Sequence, residues 1–327
     1  MGIFLALLSA LFFGATNVAV ARGHHWGELN PHEGLLLTLV VNNLVNLLLL
    51  PFIILYTEVG GLNLSSILSF IGSGFFASFL GRMLLFGSII MVGASRAGSL
   101  KITAPMFTVL FGVFILRESI SWMALLGIGI ILLGIYIVTR ETRQRDLFIV
   151  EKEEKEARPG VESGINSEPV EYSRRGSLLN AGVLIGLASG LSFGIGNVLR
   201  KVGLFSYANP LIGVVICSAS SLVFVALMRF FPGRLSLKLN LNCFELVRQK
   251  GSKEYMIGGA LSSVAIFTLF ISLAYLPVSI VNSIAAVEAL FTIIIASVLL
   301  RKIDYITRVL VAGVLVISGG IILILLS

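Results

Sequence analysis

The chain has 327 residues, of which 57% are hydrophobic and only 13% are charged. A soluble domain carries about 25% charged residues, so this composition excludes an ordinary water-soluble fold and indicates an integral membrane protein. The formal net charge of +7 comes from basic residues in loops between apolar runs, where they set membrane orientation, so we predict no nucleic-acid binding.

Apolar runs of about 20 residues, the length that crosses a bilayer as a helix, recur along the chain. The first begins at Gly2 with no basic residue before it, so we expect a retained helix rather than a cleaved signal peptide. Hydropathy predicts ten spans, at residues 2–21, 34–55, 68–92, 97–116, 121–139, 178–199, 209–229, 255–276, 279–300 and 306–326.

A charged stretch at 141–177 separates these spans into two sets of five. It holds seven basic and nine acidic residues and one short apolar cluster. Such a segment buries little surface, so we expect a solvated linker. The predicted organisation is a first five-helix repeat at 1–140, a linker at 141–177 and a second five-helix repeat at 178–327.

The two sets of spans resemble each other in sequence. Residues 9–18 and 189–198 are identical at six of ten positions, at an offset of 180. At an offset of 184, residues 107–108 and 116–117 match 291–292 and 300–301. Because each copy has an odd number of spans, the second copy enters the membrane from the opposite side. The sequence therefore predicts an all-α membrane protein built as an inverted five-plus-five repeat, an architecture of alternating-access transporters.

Basic residues are distributed unequally between the two predicted faces. Twenty Lys and Arg fall in loops on the face of the linker, and three fall on the other face. Cytoplasmic loops carry the excess of basic residues, so we expect the linker in the cytoplasm, both termini outside, and the chain in the cell membrane.

Arg82 and Glu288 are ionisable residues well inside predicted spans. A charge at the bilayer centre costs about 2.5–3.5 kcal/mol on insertion scales, so both side chains should face the bundle or a watery cavity. Three interpretations stay open. In the first, the two residues form a buried structural ion pair or hydrogen-bond to backbone. In the others, Arg82 receives a substrate carboxylate or phosphate, or Glu288 binds a cationic substrate group or a coupling proton. A zwitterion would satisfy both charges.

Asparagine side chains also recur inside the spans, where they need hydrogen-bond partners. They are either interhelical contacts, worth about 0.6–2 kcal/mol each, or the lining of a polar pathway. Asn17 and Asn197 occupy matched positions in the two repeats, and Asn42, Asn43 and Asn46 cluster in the second span.

Pro105 lies early in the fourth span, and Glu118 lies in the turn that follows it. Pro105 removes a helix hydrogen bond, which either kinks the first turn or opens backbone groups to a substrate. Glu118 in the following turn is expected to form a local ion pair or to cap a helix dipole rather than to bind substrate. The sequence has no phosphate-binding loop and no hydrolase or metal motif, so we predict no enzyme activity, no metal and no cofactor.

These motifs resemble those of the EamA-type permeases of the drug/metabolite transporter superfamily. The resemblance rests on the opening-helix motif at 11–18, the stretch 94–107 with Pro105, the turn residue Glu118, and Gly127. It implies ten helices, a central cavity between inverted halves and secondary transport of a small metabolite.

The second repeat departs from this pattern. Ala289 replaces Pro105 and Lys302 replaces Glu118, so Glu288 lies one residue before the expected proline and is distinctive. We predict a secondary active transporter that moves a small polar or zwitterionic metabolite across the cell membrane by alternating access. Its partners would be that substrate, membrane lipid and a coupling proton or ion. The alternative is a non-transporting membrane protein, either a sensor or an intramembrane enzyme. The sequence assigns no substrate identity, direction or oligomeric state.

Overall fold

The regular secondary structure of the described residues is helical throughout. The computed structural model describes residues 1–27, 29–56, 61–101, 103–116, parts of 121–137, 169–228, 243–276, 278–285, 287–300 and 307–326. In chain order its helices are α1 Gly2–Trp26, α2 Pro31–Tyr56, α3 Leu64–Val92, α4 Ala94–Lys101, α5 Ala104–Leu116, α6 Pro169–Ser206, α7 Pro210–Leu227, α8 Cys243–Arg248, α9 Ser252–Tyr275, α10 Val278–Ala285, α11 Glu288–Leu299 and α12 Arg308–Leu325. Further helical turns lie within 121–137.

Five of the described helices are long and apolar enough to cross a membrane. They are α1, α3, the part of α6 from Ala181, α7 and α9. Shorter apolar helices lie at His32–Leu48, Glu288–Leu299 and Arg308–Gly320. Large apolar side chains such as Leu48, Leu184 and Phe205 are exposed on the outer surface, as a helix in contact with lipid requires. The chain is therefore an all-α, multi-pass membrane protein.

The sixth helix begins earlier than hydropathy predicts. It starts at Pro169, so the end of the predicted linker, 169–177, is helical. Residues 141–168 lie outside the described ranges. Glu171 and Arg174 fall on these first turns, which carry too much charge to be recognised as part of an apolar span.

The predicted spans 97–116 and 279–300 are each broken into two helices. The first break separates α4, which ends at Lys101, from α5, and the second separates α10 from α11, which begins at Glu288. Phe107 N–H donates to the Thr103 carbonyl across the first break. Pro105 lies in the first turn of α5, where its missing N–H costs no helix hydrogen bond. The expectation of continuous helices here was wrong, because short breaks do not interrupt hydropathy.

The helices of the two halves interlock. The first helix of the chain, α1, packs against α9 and α11, while α6 packs against α3 and α5. A Cβ atom on Gly14 would lie 3.0 Å from the Glu288 carbonyl oxygen, and one on Gly194 would lie 3.1 Å from that of Ala104. The glycines are 180 residues apart, and their partners are 184 apart. Small residues at these crossings let the helix backbones approach closely.

Hydrogen bonds recur at the same two offsets. Ser272 Oγ donates to the Gly2 carbonyl at 2.9 Å, and Ser88 Oγ donates to the Gly182 carbonyl at 2.9 Å. The two hydrogen bonds are thus related by the same offsets as the predicted repeats.

Two fully buried aromatic rings pack against glycines in the same repeated manner. Tyr255 of α9 lies against Gly23, whose Cβ would come within 2.9 Å of the ring, and against Gly34. Phe70 of α3 lies against the corresponding glycines of the other half, Gly203 and Gly213. A substituted Cβ at any of these glycines would collide with a ring.

One stretch of α3, Gly74–Gly81, is a π-helix. The rings of Phe70 and Tyr255, before this stretch, correspond at an offset of 185, whereas Ser88 and Ser272, after it, correspond at 184. Helix α3 therefore carries one more residue than α9 between these points. A π-helical turn is the usual way in which a helix accommodates a single extra residue.

Candidate functional site

A cavity lies where the two broken helices meet. It contains about 500 Å³ of empty space, part of it open to solvent. Lys101, the last residue of α4, and Glu288, the first residue of α11, face each other across it. Both halves of the chain contribute to its wall, including Phe13, Phe193, Asn197, Arg200, Leu269 and Asn282.

Lys101 and Glu288 form a buried ion pair. The Lys101 Nζ donates to both carboxylate oxygens of Glu288, at 2.8 and 2.7 Å. Their side chains are 11% and 8% exposed. The pair joins a helix C-terminus to a helix N-terminus, where a cation and an anion respectively are favoured by the helix dipole. Lys101 is the ion-pair partner of Glu288 within the described residues, so the alternative of a direct Arg82–Glu288 pair was wrong.

Two aromatic rings flank the Lys101 ammonium. Its Nζ lies 4.7 Å from the ring centroid of Phe13 and 4.4 Å from that of Phe193. These phenylalanines are 180 residues apart and occupy matched positions in α1 and α6. Cation–π contacts with both rings stabilise the desolvated charge and fix its position.

Asn17 holds the carboxylate from its other side. Its Nδ2 donates to Glu288 Oε1 at 2.8 Å and contacts Thr292 Oγ1 at 3.4 Å. Glu288 is therefore oriented by a side chain of the opposite half. The predicted site residues Asn17 and Glu288 lie in direct contact.

The other predicted asparagine at this cavity, Asn197, links α6 to α10. Its Nδ2 donates to Asn282 Oδ1 at 2.8 Å, and its Oδ1 accepts from Arg200 Nη1 at 3.0 Å. Asn282 in turn donates to Thr108 Oγ1 at 3.4 Å. Because α10 belongs to one half and α5 to the other, these bonds also connect the halves.

Arg200 is buried beside Asn197, one helical turn away on the same face. Its Nε donates to Ser73 Oγ at 3.0 Å, its Nη2 reaches Ser78 Oγ at 3.5 Å, and its guanidinium lies 5.2 Å from the Phe270 ring centroid. Ser73 and Ser78 are five residues apart. Residues at this spacing share a face in a π-helix, where bonds join i to i+5, but diverge in an α-helix. The π-helical turn therefore brings both hydroxyls to Arg200.

Arg82, Asn42 and Asn46 form a separate polar cluster beside the cavity. Arg82 Nη1 donates to Ser262 Oγ at 3.3 Å, and Asn42 Nδ2 bonds the same hydroxyl at 3.2 Å. Asn46 Nδ2 contacts Asn42 Oδ1 at 3.3 Å and Ser218 Oγ at 3.0 Å. Arg82 is 4% exposed and does not line the cavity wall. Among the described residues, Arg82 and Glu288 therefore bind different partners and not each other.

Residues 1–140 match the EamA-like transporter family. This part of the chain is therefore similar to that family. A crystal structure, described only as that of a protein, aligns over 98% of this chain and 95% of its own with a TM-score of 0.59 and 14% sequence identity. At this identity the likeness shows a shared fold alone. A search of curated proteins gives no match.

The remaining EamA motif residues have different surroundings. Pro105 is buried and lines the cavity, so the first turn of α5, just after the break that follows α4, lies at the wall of the candidate site. Gly127 is helical and buried. Glu118 lies outside the described residues. No group of three or more His, Cys, Asp or Glu side chains is placed to hold a metal within the part of the chain that the structure describes.

Sequence reasoning missed two of the cations at this EamA-like site, Lys101 and Arg200. Both lie near the end of an apolar run, where hydropathy assigns a charged residue to a loop. Two local signals were available. Lys101 lies within the predicted span 97–116, four residues before Pro105, and Arg200 lies three residues after Asn197, which places it on the same helix face.

Proposed function

We propose that this EamA-like protein is a secondary active transporter that moves a small polar metabolite across the cell membrane by alternating access. The observation that carries this proposal is the cavity between the halves, with the buried Lys101–Glu288 pair at the junction of two broken helices. Broken helices that end at such a cavity are how many secondary transporters build a substrate site. The metabolite, zwitterions included, would enter this cavity, with Glu288, Asn17 and Asn197 as binding candidates.

We further propose that the chain has ten spans arranged as an inverted five-plus-five repeat, at 1–140 and 178–327. The repeated contacts support this arrangement, because Gly14 and Gly194 meet corresponding residues of the opposite half. The two breaks support it as well, since α4 and α10 end 184 residues apart. Two copies of opposite orientation can exchange conformations, which would open the cavity to either side of the membrane in turn.

The Lys101–Glu288 pair offers a means of coupling. A conformational equilibrium shifts only through contacts that differ between its two states. A proton on Glu288 would remove the negative charge that Lys101 binds and would weaken the contact between α4 and α11. We propose that a coupling proton or cation, together with the substrate, biases the two states through this pair.

Uptake into proteoliposomes tests this function. The purified full chain, given labelled metabolites and an imposed pH gradient, is expected to accumulate at least one of them. Glu288→Gln should reduce that uptake at least about tenfold, because a charge-assisted hydrogen bond contributes about 1.5–3 kcal/mol. The matched control is Arg248→Gln on α8, an exposed residue away from the cavity. Gel filtration checks that each variant is folded. Wild-type uptake in both Glu288→Gln and Lys101→Met would remove this site from the proposal.

The proposed orientation places the linker in the cytoplasm and the termini outside. The chain has two cysteines, and Cys217 is buried, so Cys243, the first residue of α8, serves as a reporter for this side of the membrane. A membrane-impermeant maleimide applied to intact cells is expected to leave Cys243 unlabelled, and permeabilised cells should be labelled. Cys243→Ser is the control for background. Strong labelling of intact cells would reverse the orientation.

A further inference from the structure

Positive charge exceeds negative charge around the cavity. Lys101 and Arg200 line its wall, and the buried Arg82 lies in the polar cluster beside it. Among the described residues of the cavity wall, Glu288 is the one carboxylate. Both of its oxygens bind Lys101, and one also binds Asn17. Its negative charge is therefore already neutralised by Lys101 within the protein.

Among the described residues, no carboxylate pairs with Arg200. It is 2% exposed, and it contacts the neutral side chains of Ser73, Ser78 and Asn197 together with the Phe270 ring. A buried guanidinium without an anion is costly in a membrane protein. The Nη2 contact at 3.5 Å is at the limit of a hydrogen bond, so this nitrogen remains available to a stronger acceptor.

The remaining wall residues indicate the chemistry of the uncharged part of the ligand. Phe13, Phe193, Leu269 and Ala285 supply apolar surface, whereas Asn197 and Asn282 supply amides next to Arg200. A zwitterion would bring an ammonium group that must compete with Lys101 for Glu288. A carboxylate on a short apolar chain needs no such competition, since its charge matches Arg200 and its chain matches the apolar wall.

We propose that the substrate is a small organic monocarboxylate, with Arg200 binding its carboxylate and the phenylalanine-lined wall binding its carbon chain. This inference rests on the proposed transport function and narrows its substrate from polar metabolites to monoanions. Ser73 and Ser78 act as positioning residues, because the π-helical turn of α3 directs both hydroxyls at the guanidinium.

The test uses three probes with the same five-carbon frame, namely pentanoate, norvaline and pentylamine. Binding to the purified full chain in detergent is measured by titration calorimetry, and uptake is measured in proteoliposomes against protein-free vesicles. Pentanoate is expected to bind at least about tenfold more tightly than pentylamine, which lacks the carboxylate that makes a charge-assisted hydrogen bond to Arg200. It is expected to exceed norvaline by a similar factor, because the norvaline ammonium must compete with Lys101 for Glu288.

The Arg200→Gln variant should weaken pentanoate binding at least about tenfold, and Arg200→Lys should recover part of it, since the charge remains without the planar geometry. Arg248→Gln, an exposed arginine on α8, should bind like the wild type. The ranking of the three probes by the wild type decides the ligand class even if Arg200→Gln fails to fold. For the positioning role, Ser73→Ala should weaken pentanoate more than pentylamine.

The outcomes separate this inference from the transport function. Uptake of norvaline or pentylamine without pentanoate would overturn the monocarboxylate proposal and leave transport standing. Binding of pentanoate without uptake would support the anion site and contradict transport. If the chain neither binds nor takes up any of the three probes, the proposed ligand is wrong and the result counts against the transport site.

Discussion

Glu288→Gln alone is expected to lower the free energy of unfolding by about 3–5 kcal/mol, because it leaves the buried ammonium of Lys101 without its counter-charge. Lys101→Met should cost a comparable amount, since among the described residues it leaves the Glu288 carboxylate with Asn17 as its remaining side-chain donor. The two phenylalanine rings beside Lys101 do not replace a full negative charge, because even a desolvated cation–π contact contributes only about 2 kcal/mol.

The double variant Lys101→Met/Glu288→Gln distinguishes a charge effect from a packing effect. It removes both buried charges, so it should recover most of the stability lost in either single variant. Unfolding in increasing SDS, followed by circular dichroism, measures all three variants, with Arg248→Gln as the control. Losses that simply add would contradict the ion-pair account and indicate that each side chain stabilises the fold independently.

Tyr255→Ala is expected to destabilise the fold by about 3–5 kcal/mol, the usual cost of truncating a buried aromatic residue. Its ring is fully buried and lies between Gly23 of α1 and Gly34 of α2, so it joins three helices of both halves. Glycine backbones form the walls of this site. Because glycine has no side chain that could move into the vacated space, only a shift of whole helices could fill it. The cavity left by the truncation should therefore persist.

Tyr255→Phe is the matched control for this prediction. The Tyr255 hydroxyl is buried without a hydrogen-bond partner among the described residues, so its removal should leave stability unchanged or raise it slightly. Phe70→Ala should behave like Tyr255→Ala, because Phe70 fills the corresponding site between Gly203 and Gly213. The same SDS titration reports all three variants. Equal losses for Tyr255→Phe and Tyr255→Ala would contradict a packing role for the ring.

The sequence predicted the class of fold and one charged residue of the cavity for the same reason. Long apolar runs can satisfy their backbone only as helices in a membrane, and one acid within such a run stands out at once. Glu288 was found in this way. Lys101 and Arg200 were not, because hydropathy cannot distinguish a charge at the end of a span from a charge in a loop.

The helix breaks and the π-helical turn depend on three-dimensional contacts that a single sequence does not display. Pro105 marks one break, but Ala289 stands at the corresponding place in the other, so no residue type predicts the second break. Sequence identity showed offsets of 180 and 184 between the copies. The offset of 185 within α3 emerges only when Phe70 and Tyr255 are matched through the glycines that they contact.

The extra residue of α3 has a consequence for the equivalence of the two copies. Val20 occupies the position in α1 that corresponds to Arg200 in α6, and α9 lacks the π-helical turn that would direct two hydroxyls toward an arginine there. The proposed inverted repeat would therefore carry this guanidinium in one of its two copies only. A transported anion would therefore bind the same residue, Arg200, whichever face of the membrane the cavity opens to. The concentration and electrical gradients across the membrane, and not a second arginine in the other copy, would then set the direction of net transport.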